Sequence, residues 1–289
     1  MEILNNISPL PFYTRLSAQN HRKSYAYGQV YPLLAPANSI LPFQFIAAGP
    51  EFYAGDFSDD FNNDFTNNSL NSAKYGVRKV KLCSLEGAST IDITRDMLNT
   101  GLSTEFIGTG LLLLKYSSNA PISPLREGQY YLEIELIGLD QSIYSDVFTA
   151  TSCAEEQVRV EYRNSHNLAL SVGHIDFSND FKFWCYLQTE IGKPEYSYEE
   201  EATSRGGYTF IENQISKKVY KFTALAPEYL CDALRIIRLC DTKSIFADDR
   251  KYTLTSFAMD VKWEEQGDLA SIECEFETNT VICNVGNLK

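Results

Sequence analysis

Three clusters in this chain carry residue types that could do chemistry. The first is GDFSDDFNNDF at 55–65. A calcium loop takes oxygen ligands from alternating positions and turns on a glycine near its middle. Asp56, Ser58 and Asp60 supply the alternation, but Phe61 stands where the glycine is needed. Asp56 and Asp60 are therefore a weak metal candidate. Phe57, Phe61 and Phe65 recur every four residues and fall on one side of a helical or an extended backbone. Asp and Asn disfavour both regular forms, so the stretch reads as a polar loop pinned by its phenylalanines. A partner contact through those three rings is the second reading. The next cluster is EYSYEEEATSRGGY at 195–208. Glycoside hydrolysis needs only two carboxylates, and Tyr196, Tyr198 and Arg205 accompany Glu199, Glu200 and Glu201. Successive side chains alternate across a strand, so only Glu199 and Glu201 could share a face. The plainer reading is a solvated acidic loop or edge strand ending at Gly206-Gly207. Last come His166 and His174, which flank NLALSVG and could meet across a loop; a metal pair there competes with two solvated or hydrogen-bonded histidines.

No other stretch matches a reaction signature. GxSxG, HExxH, P-loop and EF-hand patterns are missing from the sequence. GTGLLL at 108–113 lacks the third glycine and the following helix of a dinucleotide fingerprint. The expectation is a non-enzyme with no cofactor. Seven cysteines, an odd number with no CxxC, fit a reduced cytosolic birthplace and a role as small buried apolar residues.

The elements that would position these residues read mainly as strands. Tyrosine (18) and phenylalanine (17) far outnumber tryptophan (2), which leans toward sheet. At 289 residues and 44% hydrophobic content the chain can bury two cores. A net charge of −13 argues against phosphate-based nucleic-acid binding. The longest apolar run, Leu111–Leu114, falls far short of the ~20 residues a spanning helix needs, and MEILNNISPLPFYTR has neither the basic start nor the apolar stretch of a signal peptide.

Residues 1–40 show little periodicity and read as an extended arm packed on the rest of the chain or on a neighbouring subunit. A first β-sandwich domain is expected over 41–152. It holds strands in YGVRKVKLCSL and TGLLLLKYS, a helical turn around Arg95–Leu98, and an Ig-like hairpin in which Leu132, Ile134 and Leu136 alternate with Tyr131, Glu133 and Glu135. A second β-rich domain is expected over 153–289, with strands QVRVEYRNS and FKFWCYLQTE. One clear helix, 227–240, opens on Pro227 with Glu228 in its first turn and Arg235 and Arg238 toward its end. It plugs a sheet with its broad apolar face. Leu239 and Cys231 are its candidates for touching a neighbouring subunit. In SIECEFETNTVICNVG the apolar parity flips after Asn279. A two-residue turn at Thr278-Asn279 would set Cys274 opposite Cys283, close enough for a disulfide outside the cytosol; a β-bulge would flip the parity as well.

Six stretches resemble uncharacterised structural proteins of phages and prophages of gut Bacteroidetes. They are QNHRKSYAYGQVYPLL with ILPFQF, GQYYLEIELIGLDQSIYSDVFT, VEYRNSHN, ISKKVYKFTALAPEYLCDALRIIRLCD and WEEQGDLASIECEFETNTVICNVG. The likeness runs over most of the chain from about residue 17. It implies a virion component of the tail or baseplate, made in the host cytoplasm. Its partners would be further copies of itself in a ring and neighbouring virion proteins. It supplies no functional residue. A non-catalytic module binding bacterial surface glycans, through the Tyr-rich 195–208 stretch or the 51–65 loop, is the alternative.

Overall fold

A computed structural model describes residues 2–14, 33–49, 76–85, 89–108, 110–123, 125–137, 142–171, 173–263, 269–278 and 282–285. The N-terminal segment forms β1 (Glu2–Leu4), β2 (Phe12–Thr14) and β3 (Leu33–Pro36). Then come β4 (Phe43–Ala48), β5 (Val77–Ser84), β6 (Thr90–Asp92), α1 (Thr94–Thr100), β7 (Ser103–Gly108) and β8 (Leu111–Tyr116). The expected hairpin is β9 (Gly128–Leu136) with β10 (Ser142–Ser145) and β11 (Phe148–Thr151). Next are β12 (Val158–Arg163), β13 (Leu168–Ala169), β14 (His174–Ile175), β15 (Phe183–Leu187), β16 (Glu195–Arg205) and β17 (Tyr208–Pro227). Helix α2 (Glu228–Arg235) runs into a 3-10 turn at Ile236–Leu239, and β18 (Thr242–Ala247), β19 (Arg250–Trp263), β20 (Leu269–Thr278) and β21 (Ile282–Val285) complete the order. The chain is all-β with one clear helix, in sandwich-like layers.

Alternation fixes which face of each strand is buried. Leu132, Ile134 and Leu136 of β9 are buried while Tyr131, Glu133 and Glu135 are half-buried, and Val158, Val160 and Tyr162 do the same in β12. The sheet β1-β4-β8-β7 lies over β2 and β9–β11 of the large sheet. Phe12 of β2 meets Phe43 and Phe45 of β4, each at 4.6 Å between ring centroids. Such aromatic pairs add roughly 1 kcal/mol each beyond the area they bury.

The expected boundary at 152–153 falls on a 3-10 turn, Ser152–Glu156, but the sheet is continuous across it. Leu33–Pro36 runs parallel to β11 on one edge, and Leu34 pairs with Tyr186 of β15 on the other. Apolar residues from both sides of the boundary join one buried cluster. The described strands of the N-terminal segment therefore pair within this chain: β1 on β4, β2 on β10, and β3 as the seam.

The C-terminal strand departs from the expected hairpin. Both edges of β20 are already taken, by β17 and β19, so Phe276 lies between Tyr220 and Phe257. No edge is left for β21 to fold back on. Strand β17 spans 20 residues, and β21 pairs farther along it instead. Val219 faces Glu277 whereas Ser216 faces Ile282, so three steps on β17 match five on the other chain. Cys274 pairs with Phe222 and Cys283 with Ile215, seven residues apart and thus ~23 Å along the strand. A disulfide, which spans about 4.4–6.8 Å between Cα atoms, cannot join them in this register.

Helix α2 closes over the curved β12/β15/β20 region. Leu230, Ala233, Leu234 and Ile237 are fully buried, and the buried Tyr162 hydroxyl donates to the Ala233 carbonyl at 2.8 Å. Cys231, expected on the outside, is buried as well, its Sγ directed at the Ala226 carbonyl at 3.9 Å. The tight β17–α2 junction at Pro227 turns that side chain toward the sheet.

Candidate functional site

Lys115 ends the apolar run of β8, and strand alternation puts it on the face opposite Leu112, Leu114 and Tyr116, under the segment that carries Asp176 and Ser178. A buried lysine needs a partner, and Asp176 supplies it; the two side chains are 8% and 5% exposed. Ser178 Oγ accepts from Lys115 at 2.7 Å and donates to Asp176 at 2.8 Å. The Gln44 side chain exchanges two 2.7 Å bonds with the Asp176 backbone, and the Gln44 backbone exchanges two with Ser8 Oγ at 2.7 and 2.6 Å. Burial alone would raise the Asp176 carboxyl; hydrogen bonds from Lys115 and Ser178 outweigh it and hold the group below the usual carboxylate range. A serine beside a lysine suggests an acyl-transfer dyad, but that chemistry needs a neutral lysine. Here the Lys115 nitrogen is the ion-pair partner of the Asp176 carboxylate. The network is a clamp between β4, β8 and the segment after β14.

The exposed constellation lies elsewhere. Strand β16 and its partner stretch of β17 form a long hairpin closed by Gly206-Gly207, both at positive φ (61° and 87°), as a two-residue primed turn requires. Tyr196, Tyr198 and Tyr208 are 58%, 65% and 73% exposed. Glu199, Glu200, Ala202 and Ser204 are exposed too, so residues on both faces of the strand meet solvent. The outer edge of β16 has no strand beside it among the described residues.

On one face, charge runs across β16, β17, β20 and β19 in rows. Lys221 lies between Glu195 (3.0 Å) and Glu275 (3.7 Å), and Lys217 between Glu199 (2.6 Å) and Glu277 (3.8 Å). Lys262 lies between Glu273 (3.2 Å) and Asp260 (3.5 Å). Hydrogen bonds to Glu199, Glu195 and Glu273 push the Lys217, Lys221 and Lys262 ammoniums above their ordinary range. Exposed pairs of this kind add little stability. Six carboxylates against three lysines leave the face acidic.

The residues singled out in the sequence scatter. Asp56, Phe57, Asp60, Phe61 and Phe65 lie outside the described residues. Leu239 is 66% exposed on the 3-10 turn after α2. Glu199 is tied to Lys217 on the acidic face at 2.6 Å. His174 pairs with Ala169 in the two-residue ladder β13–β14, while His166 sits in the bend before β13. Among the described residues no three His, Cys, Asp or Glu side chains are placed to hold a metal ion. Burial pushes the thiols of Cys185, Cys240 and Cys274 up to about 12 and that of Cys231 to about 11, so they are not nucleophiles near neutral pH.

The Lys115 clamp was missed by sequence reasoning, although a lone lysine closing LLLLKY signals a buried counter-charge. The charged rows were also legible in part: ECEFE puts its charges on one parity, and Lys217 and Lys221 share a parity that Lys218 does not. Comparison with protein-family models, with curated proteins and with solved structures gives no match.

Proposed function

We propose that this protein is a structural subunit of a virion, of the phage tail or baseplate type, that works by assembling with copies of itself and with neighbouring proteins. One observation carries the reading. The β16–β17 hairpin presents an 11-residue strand with exposed residues on both faces and an edge that no strand among the described residues covers. Open edges are aggregation hazards that proteins cover or charge. Burying this one against a neighbour removes the hazard and forms a contact. The contact is head-to-tail. Full-length antiparallel pairing of two β16 strands centres on Glu200 and sets Glu199 against Glu201, and like charges directly opposite destabilise a sheet. Head-to-tail contacts give a ring where the rotation between copies closes and a helical filament where it does not.

The test has two arms. Mass spectrometry of purified particles from a strain carrying the gene should find the chain in the virion. Replacing 200–214 with Gly-Gly, so that Glu199 still pairs with Ile215 across a two-residue turn, should leave a folded chain that no longer enters particles. Particles lacking the intact chain, or incorporating the shortened one normally, overturn the reading. A second reading, a non-catalytic module for bacterial surface glycans, is favoured by the exposed Tyr196, Tyr198 and Tyr208.

A further inference from the structure

Where β17, β19 and the end of β20 come together, a recess of about 500 Å³ is lined by Lys218, Arg250 and Lys251, by Tyr220 and Tyr252, and by the threonines at 253 and 278. Carboxylates outnumber cations 38 to 25 in this chain, yet three cations and no carboxylate line the recess. On the opposite face of the same sheet, Lys217, Lys221 and Lys262 are each held by two carboxylates. Lys218, Arg250 and Lys251 have no such partner among the described residues; Lys218 instead lies 5.7 Å from the Tyr196 ring and Lys251 5.5 Å from the Phe246 ring. Asp248 and Asp249 form the positive-φ turn before Arg250 and line a neighbouring recess with Arg159 and Phe246, which Arg250 and Lys251 also border.

Unpaired cations facing one space leave an electrostatic demand that an anion fills. The rings narrow the choice. Tyr220 and Tyr252 meet at 5.0 Å and 64°, and Tyr220 lies nearly parallel to Phe276 at 5.3 Å, so both tyrosines are braced. Their ring faces and edges suit the C–H surface of a sugar, and Thr253 and Thr278 bring hydroxyls. The volume is within the usual range for small ligands. A nucleic-acid strand also pairs rings with cations, but a backbone with a charge on every residue meets the acidic rows on the far side of this sheet and a chain charge of −13.

We infer that this recess binds a carboxylate-bearing sugar unit, its acid group held by Lys218, Arg250 and Lys251 and its ring against Tyr220 and Tyr252. The site stands whether or not the chain assembles into particles, and its test reads binding alone. The full chain is titrated calorimetrically at low salt with trigalacturonate, a glucuronate-containing trisaccharide and a sialyl trisaccharide. Methyl-esterified trigalacturonate and inorganic phosphate serve as counter-ligands, and a short single-stranded oligonucleotide as competitor. At least one acidic trisaccharide should bind in the micromolar to millimolar range. Its ester should bind about tenfold or more weakly, as loss of a charged hydrogen bond implies. R250E/K251E, at two exposed positions, should abolish binding with the far-UV spectrum unchanged, and Lys218→Glu should weaken it by a similar factor. Four results would overturn the inference: no binding of any acid sugar, equal binding of ester and acid, phosphate or oligonucleotide binding as tightly as the sugar, or unchanged affinity in the charge-reversed variant.

Discussion

Consider replacing Asp176 with asparagine. The side chain keeps its shape, but the Lys115 ammonium, only 8% exposed, loses its counter-charge and retains Ser178 Oγ at 2.7 Å as a neutral acceptor. Removing one partner of a buried pair costs about 3–5 kcal/mol, because the orphaned charge stays out of water. Against a typical total of about 5–15 kcal/mol, that is about a fifth of the fold's stability at the least. Lys115→Met leaves the opposite orphan. Its carboxylate still accepts from the Ser178 N–H at 2.8 Å and its O–H at 2.8 Å, so the loss should be somewhat smaller. The double variant K115M/D176N removes both charges and should cost less than the sum, with a coupling of about 1–3 kcal/mol.

Urea unfolding followed by tryptophan fluorescence reads these values, since Trp184 is 1% exposed and reports on the core beside β12. pH adds an independent check. The folded-state pKa of Asp176 is depressed, so its stabilisation is complete above the unfolded value of about 3.9 and fades as pH falls through the folded one. Below about pH 4 the wild type should lose stability more steeply than D176N. Single substitutions that each cost under about 1 kcal/mol, additive in the double variant, with the same acid slope in wild type and D176N, would refute the clamp.

Three further outcomes follow from the packing. In a Cys283→Ser background, a thiol reagent should modify Cys153 quickly and the buried Cys83, Cys185, Cys231, Cys240 and Cys274 only on unfolding, as a timed absorbance assay would show. Tyr162→Phe removes the donor to the Ala233 carbonyl and should cost about 1–2 kcal/mol in urea titration, with no change in helix signal. Neutralising Glu199, Glu200 and Glu201 to glutamine together should make the chain self-associate in sedimentation runs at rising concentration, while the wild type at the same concentrations associates less.

What the sequence disclosed and what it withheld divide along a physical line. Period-two patterns are local, so β9, β12 and the edge strand ending at Gly206-Gly207 could be read directly. Helix α2 was equally legible from its caps and apolar face, though its last turn tightens to 3-10 and its Cys231 turns inward. Pairing is not local. Nothing in LLAP announces that it will join β11 to β15, because that depends on edges left free more than a hundred residues away. The parity flip after Asn279 was visible, but choosing between a hairpin and a slip along the same neighbour required knowing that β20 was flanked on both sides. The candidate surfaces follow the same rule. The charges of β20 alternate in sequence, whereas the grouping of Lys218 with Arg250 and Lys251 exists only once β19 lies beside them.

The two faces of the β17–β20–β19 sheet then acquire different tasks from one strand pattern. Odd positions of β17 carry Lys217 and Lys221, locked between carboxylates, so that face offers a neighbour no unspent positive charge. Even positions carry Lys218 and Tyr220, which look toward Arg250, Lys251 and Tyr252 without any acid among them. A single-residue slip of β17 would exchange the two sets, placing Tyr220 and Phe222 in water and the paired lysines in the core. The aromatic stack of Tyr220 on Phe276, at 5.3 Å and 14°, and the burial of Phe222 oppose that slip. The packing that fixes the register thus also keeps the acidic rows and the carboxylate-free recess on separate sides. A change that loosens the stack, such as Phe276→Ala, should therefore disturb both surfaces together, even though it touches no charge.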